Sequence, residues 1–99
     1  MPPSQKRLRI PEDLAERIRH FHPILKSGVK AALQDILEDP TCGKPLKEEL
    51  KGLRSYRLKR FRVIYRISGD AIDIVAIGPR RIIYEETLRL LVKGEGPKK

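Results

Sequence analysis

Residues 51–67 read KGLRSYRLKRFRVIYRI, and the pattern of this stretch decides the fold. Apolar and basic side chains alternate here in two segments that meet at Lys59-Arg60-Phe61. The apolar positions are Tyr56, Leu58, Phe61, Val63, Tyr65 and Ile67. Alternation with a period of two is typical of strands that bury one face. The short junction predicts a tight antiparallel hairpin.

The same stretch is strongly basic. Residues 51–66 hold seven basic side chains and no acidic one, and the whole chain has a net charge of +9. By contrast, residues 11–50 hold six basic and eight acidic side chains. Like charges on one face of a sheet repel each other, so such a cluster is typical of a surface that binds a polyanion. The alternative is a solvated outer face without a ligand.

The flanking segments predict further strands and helices. Residues 6–10 alternate basic and apolar and predict a first strand. Leu14, Ile18 and Phe21 recur at helical spacing after Pro11, which suits the start of a helix. A second helix ends before Pro40, and its apolar face consists of Leu25, Val29, Ala32, Leu33, Ile36 and Leu37.

The C-terminal third supplies the last strand and a closing helix. Residues 71–77 are almost entirely apolar, which predicts a central strand that is covered on both faces. Gly78 and Pro79 end this strand, and the final segment becomes helical near Tyr84.

These elements predict an α+β fold in the order strand, helix, helix, three strands, helix. We expect a small antiparallel sheet with a helical hairpin packed on one face. The first strand joins the same sheet, because the helices have no other apolar face to cover. Ninety-nine residues are enough for one domain with a modest core, so we expect a single domain spanning residues 1–99.

Several classes of protein are disfavoured. No run approaches the roughly 18 apolar residues of a membrane span, and the N-terminus lacks the apolar region of a secretory signal. Cys42 is the only cysteine and cannot form an internal disulfide, so we expect a cytoplasmic protein. His20 and His22 lack accompanying metal ligands, and no glycine-rich phosphate loop is present. We therefore expect neither a metal nor a cofactor.

An ordered set of motifs resembles the RelE/ParE superfamily of bacterial toxins, over about residues 6–92. The motifs are LKG at 50–52, YRL at 56–58, FRVIYRI at 61–67 and IGPR at 77–80. They are most similar to the RelE branch, which cleaves mRNA in the ribosomal A site without metal. The ParE branch poisons DNA gyrase and generally lacks the RNase residues.

The resemblance implies the toxin of a type II toxin–antitoxin pair. Its expected activity is that of a ribosome-dependent mRNA endoribonuclease, an mRNA interferase that inhibits translation. Its expected partners are a cognate antitoxin, the ribosome and mRNA. The alternatives are a ParE-like gyrase poison without RNase activity, and a non-catalytic protein of this fold that only binds RNA or its antitoxin.

The family's catalytic positions match five residues here: Arg57, Lys59, Arg62, Arg80 and Tyr84. Arginine is a good bidentate clamp for phosphate, so the three arginines are expected to stabilise the charge of the reacting phosphate. Lys59 is the expected base, and Tyr84 is expected to stack on a base or orient the 2′-hydroxyl. Both the hairpin and the Arg80-to-Tyr84 spacing are about two residues shorter than in the RelE type. For Tyr84, simple packing on the sheet is the alternative.

Five more basic residues are expected to contact RNA without taking part in the chemistry. They are Lys51, Arg54, Arg60, Arg66 and Arg81.

Overall fold

The structure is a computed structural model that describes residues 7–92. The remaining residues of the predicted 1–99 domain lie outside this range. The strands are β1 (Arg7–Arg9), β2 (Lys44–Pro45), β3 (Arg54–Leu58), β4 (Phe61–Ser68) and β5 (Ala71–Pro79). The helices are α1 (Glu12–Arg19), α2 (Pro23–Glu38) and α3 (Arg80–Val92). Short 3₁₀ turns cover Pro40–Cys42 and Glu48–Leu50.

The predicted α+β architecture is confirmed. All five strands belong to one sheet in the order β1-β5-β4-β3-β2, and β3, β4 and β5 form the antiparallel meander. The sheet as a whole is mixed rather than antiparallel, because β1 pairs with β5 in parallel. Parallel pairing is possible because the long intervening chain from Ile10 to Asp70, with both helices and the other three strands, separates β1 from β5. The edge strand β2 has only two residues, too few for a recognisable sequence pattern.

Helices α1 and α2 cover one face of the sheet. Their predicted apolar stripes are confirmed, since both pack into a core centred on Val63 and Tyr65 of β4. The fully buried members from α2 are Val29, Ala32 and Ile36. Phe21 meets Phe61 edge to face, with ring centroids 6.4 Å apart. This packing supports the hairpin from the helix side.

Strand β5 is buried on both faces, as its sequence predicts. A bulge interrupts its ladder with β4, because Ile64 pairs with Ala76 while Tyr65 pairs with Ile74. The extra residue, Val75, changes the alternation of the strand. Ile74 therefore packs toward the helical hairpin, whereas Val75 and Ala76 both pack on the opposite face.

Helix α3 covers part of that opposite face. It begins at Arg80, so the prediction that the helix starts near Tyr84 is wrong by about one turn. Gly78 lies close to Ile83 in the first turns of this helix. A Cβ on Gly78 would lie 2.9 Å from Cδ1 of Ile83, so a larger residue there would require the buried Ile83 side chain to shift. Ile83 and Thr87 are buried beneath α3.

The hydroxyl of Tyr65 organises the loop that follows α2. It donates to the carbonyl of Pro40 at 2.6 Å and accepts from the amide of Gly43 at 2.9 Å. Burial raises the pKa of Tyr65 to about 12. A buried amide that loses its acceptor carries the full cost of desolvation.

We therefore expect Tyr65→Phe to lower the free energy of unfolding by about 1–3 kcal/mol, measured by urea titration. Tyr56→Phe is the matched control, because the Tyr56 hydroxyl binds Asp35 near the surface, where water can replace it. Equal losses in the two variants would contradict a special role for the Tyr65 hydroxyl.

Asp73 joins three strands on the face opposite the helical hairpin. Its carboxylate accepts from Arg9 Nε at 2.6 Å and from Arg66 Nη2 at 3.3 Å. The hydrogen bond from Arg9, together with Arg66, holds the pKa of Asp73 below its usual value. A carboxylate with a depressed pKa stabilises the fold above its unfolded-state pKa, and this contribution is lost as the pH falls toward the folded-state value.

Asp73→Asn is accordingly expected to be less stable than the parent at pH 7, with the difference shrinking as the pH falls below about 4. Urea midpoints between pH 3 and pH 7 would measure this. Asp70→Asn is the control with a smaller expected effect, since Asp70 and Arg7 are exposed and 3.8 Å apart. If the stability difference for Asp73→Asn stays constant with pH, the ionised Asp73 carboxylate does not stabilise the fold in the way proposed.

Candidate functional site

A cleft of about 360 Å³ lies where the β3–β4 hairpin meets the start of α3. We call it the cationic cleft. It is lined by Arg57, Lys59, Arg60, Phe61, Pro79, Arg80 and Arg81. All five basic residues in this set are exposed. Two separate stretches of the chain therefore contribute positive charge to one site.

Backbone contacts hold the two stretches together. The amide of Arg80 donates to the carbonyl of Arg60 at 2.8 Å, which joins the first residue of α3 to the hairpin turn. Beside this bond, Phe61 at the start of β4 pairs with Pro79 at the end of β5. The position of Arg80 relative to the hairpin is thus set by the main chain rather than by long side chains.

The positive charge of the cleft is not neutralised within residues 7–92. The ion pairs found there involve Arg7, Arg9, Arg19, His20 and Arg66, and none involves a basic residue of the cleft. The first turn of α3 also lacks an acidic residue. The amides at a helix N-terminus attract anions. Helix and side chains therefore favour the same kind of ligand, an anion such as a phosphate group.

Lys59 sits in the hairpin turn and not on the strand. The predicted tight hairpin is confirmed, because Leu58 pairs with Phe61 and only Lys59 and Arg60 lie between them. Strand β3 ends at Leu58, so Lys59 is the first residue of the turn. Lys59 has a φ of 55°. This left-handed conformation costs a residue with a Cβ about 1–2 kcal/mol.

Arg62 and Tyr84 lie beside the cleft and meet at a third residue, Ser55. Arg62 is the cross-strand partner of Arg57 and donates from Nη1 to Ser55 Oγ at 3.4 Å. The Tyr84 hydroxyl lies 3.0 Å from the same oxygen. Tyr84 also packs against the core beneath α3, as the packing alternative expects. Sequence reasoning missed Ser55, although its position two residues before Arg57 places both on one face.

The five residues expected to contact RNA divide into two groups. Arg60 and Arg81 line the cationic cleft. Arg54 lies on the other face, where Nη1 donates to the carbonyls of Thr41 and Gly43. Arg66 is paired with Asp73, and Lys51 lies in the turn before β3. The structure therefore does not bring Arg54, Arg66 and Lys51 together with the cleft.

Two further findings concern metal ions and membranes. Within the described range, no three His, Cys, Asp or Glu side chains are grouped so that they could hold a metal ion. None of the helices between residues 7 and 92 has the length and apolar character needed to span a bilayer.

The sequence matches a known toxin family. Residues 5–84 match the family described as the ParE toxin of the type II toxin–antitoxin system, parDE. The chain therefore belongs to this family, and the predicted membership of the RelE/ParE superfamily is confirmed. It is a toxin of the type II toxin–antitoxin class. No curated protein matches the sequence.

Solved structures with the same fold include toxins and toxin–antitoxin complexes. One is a chain of the RelBE2 complex from Mycobacterium tuberculosis, with 29% identity, a TM-score of 0.65, and coverage of 77% of this chain and 99% of that chain. An E. coli RelE mutant in the free state has 17% identity, a TM-score of 0.71, and coverage of 90% and 96%. A chain of the archaeal RelE–RelB complex from Pyrococcus horikoshii OT3 has 18% identity, a TM-score of 0.62, and coverage of 77% and 96%.

The strained turn provides a stability test of the cleft. Lys59→Gly is expected to fold at least as stably as the parent, with a gain of up to about 1 kcal/mol, because glycine adopts positive φ without strain. Arg60→Gly is the matched control at the next position, where no positive φ is found. It is expected to lose stability through the greater chain entropy of glycine when unfolded. Thermal unfolding would compare the two, and a clear loss in Lys59→Gly would contradict the strain.

Proposed function

We propose that this toxin is a ribosome-dependent mRNA endoribonuclease that inhibits translation. The supporting observation is the convergence of Arg57, Lys59 and Arg80 on one exposed cleft, with no acidic partner within residues 7–92. The proposed substrate is mRNA in the ribosomal A site, in the cytoplasm. The proposed chemistry uses side chains alone, without a metal ion or a cofactor.

In the proposed reaction, a 2′-hydroxyl attacks the adjacent phosphate and the 5′-oxygen leaves. Lys59 in its neutral form accepts the proton of the 2′-hydroxyl. Arg57 and Arg62 bind the phosphate oxygens, where negative charge grows in the transition state. Arg80 donates a hydrogen bond to the departing 5′-oxygen, which takes up a proton from water as it leaves. The products are a 2′,3′-cyclic phosphate and a 5′-hydroxyl.

Dependence on the ribosome follows from the chemistry of these groups. Lysine and arginine are weak acid–base catalysts near neutral pH, so free RNA should be cut slowly. A ribosome that holds mRNA with the 2′-oxygen in line with the phosphate would contribute several kcal/mol by positioning alone. The basic side chains of the cleft are exposed, which is compatible with RNA that is presented by a larger particle.

The proposed protein partner is a cognate antitoxin. The similar chains from M. tuberculosis and P. horikoshii come from toxin–antitoxin complexes. An antitoxin with acidic segments would neutralise the unpaired cations of the cleft. It would also exclude RNA from the cleft, because coupled folding of such a segment covers a large surface.

The proposal predicts that Arg80→Ala reduces cleavage of ribosome-bound mRNA by at least about 100-fold. The variant lacks a hydrogen-bond donor that is already positioned to stabilise the negative charge of the transition state. Primer extension on a reporter mRNA in a translating extract would measure the cuts. Arg89→Ala is the control, since Arg89 lies in the last turn of the same helix, away from the cleft. Circular dichroism would verify that both variants fold.

A second control tests the nucleophile. A message with a 2′-O-methyl group at a mapped cleavage site should resist cutting at that position only, because the attacking hydroxyl is blocked. Continued cutting there would exclude attack by the 2′-oxygen. An intact message in an extract that continues to translate would overturn the nuclease proposal as a whole.

Poisoning of DNA gyrase is the second candidate function. The observation in its favour is the match to the family described as ParE toxin. It predicts trapped gyrase–DNA breaks in toxin-treated reactions while messages stay intact. The third candidate, a protein that only binds RNA or antitoxin, predicts undiminished toxicity after both Lys59→Ala and Arg80→Ala.

A further inference from the structure

Ser55 forms a buried polar contact beneath the cationic cleft. Only 1% of this residue is exposed, and its hydroxyl contacts side chains from two other elements, Arg62 on β4 and Tyr84 on α3. We propose that Ser55 is a positioning residue, which orients Arg62 and Tyr84 toward RNA in the cleft. This inference rests on the proposed nuclease function.

The side chains around Ser55 are mostly apolar, so its hydroxyl depends on the few polar partners within reach. Its cross-strand partner is the fully buried Ile64, and Leu53 and Ile83 belong to the same apolar cluster. A hydroxyl in such surroundings needs hydrogen-bond partners to offset its desolvation. Serine offers one donor and two acceptor sites, so it can accept from Arg62 and share a second bond with Tyr84.

The hydrogen bond to Ser55 orients the Arg62 side chain without neutralising its positive charge. Within residues 7–92, no carboxylate forms an ion pair with Arg62, and its Nε is buried with no partner. The guanidinium also lies opposite Arg57 across the two strands, an unfavourable pairing of like charges. An aspartate in place of Ser55 would hold Arg62 and also neutralise it. A neutral hydroxyl leaves the full positive charge for a phosphate.

Tyr84 gains a fixed position relative to the cleft. It follows Arg80 by one helical turn, so the two side chains lie on the same side of α3. The contact with Ser55 therefore ties this side of the helix to β3, the strand that carries Arg57. When Ser55 donates to the Tyr84 oxygen, the phenolic hydrogen remains available to a 2′-hydroxyl or a phosphate.

The role of Ser55 can be tested by measuring how fast Ser55→Ala and the parent protein cleave ribosome-bound mRNA. We expect the maximal rate to fall about tenfold, with little change in the toxin concentration that gives half the rate. Ser55→Thr keeps the hydroxyl and should recover most of the rate. Tyr84→Phe should cost less in the Ser55→Ala background than in the parent, because the contact that positions the tyrosine hydroxyl is already lost there. Full activity in Ser55→Ala, or losses that simply add, would overturn the inference.

A second readout does not depend on cleavage. Hydrogen exchange at the Nε–H of Arg62, followed by NMR, should speed up about tenfold in Ser55→Ala as the side chain becomes mobile. The exposed Arg57 serves as the internal control and should not change. If the parent protein leaves ribosomal mRNA intact, the nuclease proposal fails, and this exchange rate alone decides the role of Ser55. Unchanged exchange at Arg62 would refute it.

Discussion

One backbone hydrogen bond, from the amide of Arg80 to the carbonyl of Arg60, underlies the organisation of the site. It joins the β3–β4 turn to the first residue of α3, two places that are 20 residues apart in sequence. Helix α3 begins directly after β5 without an intervening loop, and Ile83 of this helix packs closely over Gly78. The cationic cleft therefore depends on the packing of α3 as much as on the charges themselves.

On the face opposite the helical hairpin, the sheet carries basic residues that are paired with a carboxylate at one place and basic residues without such a partner at another. At the β1 end, Arg9 and Arg66 are paired with Asp73 and stabilise the join between strands. At the hairpin end, the cations of the cleft have no such partner within residues 7–92. Repulsion between them opposes folding, and apolar cores on both faces of the sheet offset this cost. The difference between the two ends points to a ligand at the hairpin end.

The sequence predicts the elements with regular periods and misses those set by tertiary contact. The period of two located the hairpin, and the helical spacing of Leu14 and Val29 located the covered face. The same period, extended back from Tyr56, would have placed Arg54 on the helix side. Ile82 and Ile83 are two adjacent apolar residues with no helical spacing, so the sequence does not show that α3 begins before them. Nothing local to Lys59 signals positive φ, and the role of Ser55 depends on partners from two other elements.

The bulge at Val75 limits how the gene for this protein can change in length. One codon gained or lost between Ile74 and Pro79 would exchange the two faces of the strand beyond that point. Gly78 would then lose its place beneath Ile83, and the helix that follows would emerge on the wrong side of the sheet. An added codon in the β3–β4 turn has no such effect on β5. We therefore expect an inserted residue to be tolerated better in the β3–β4 turn than in β5.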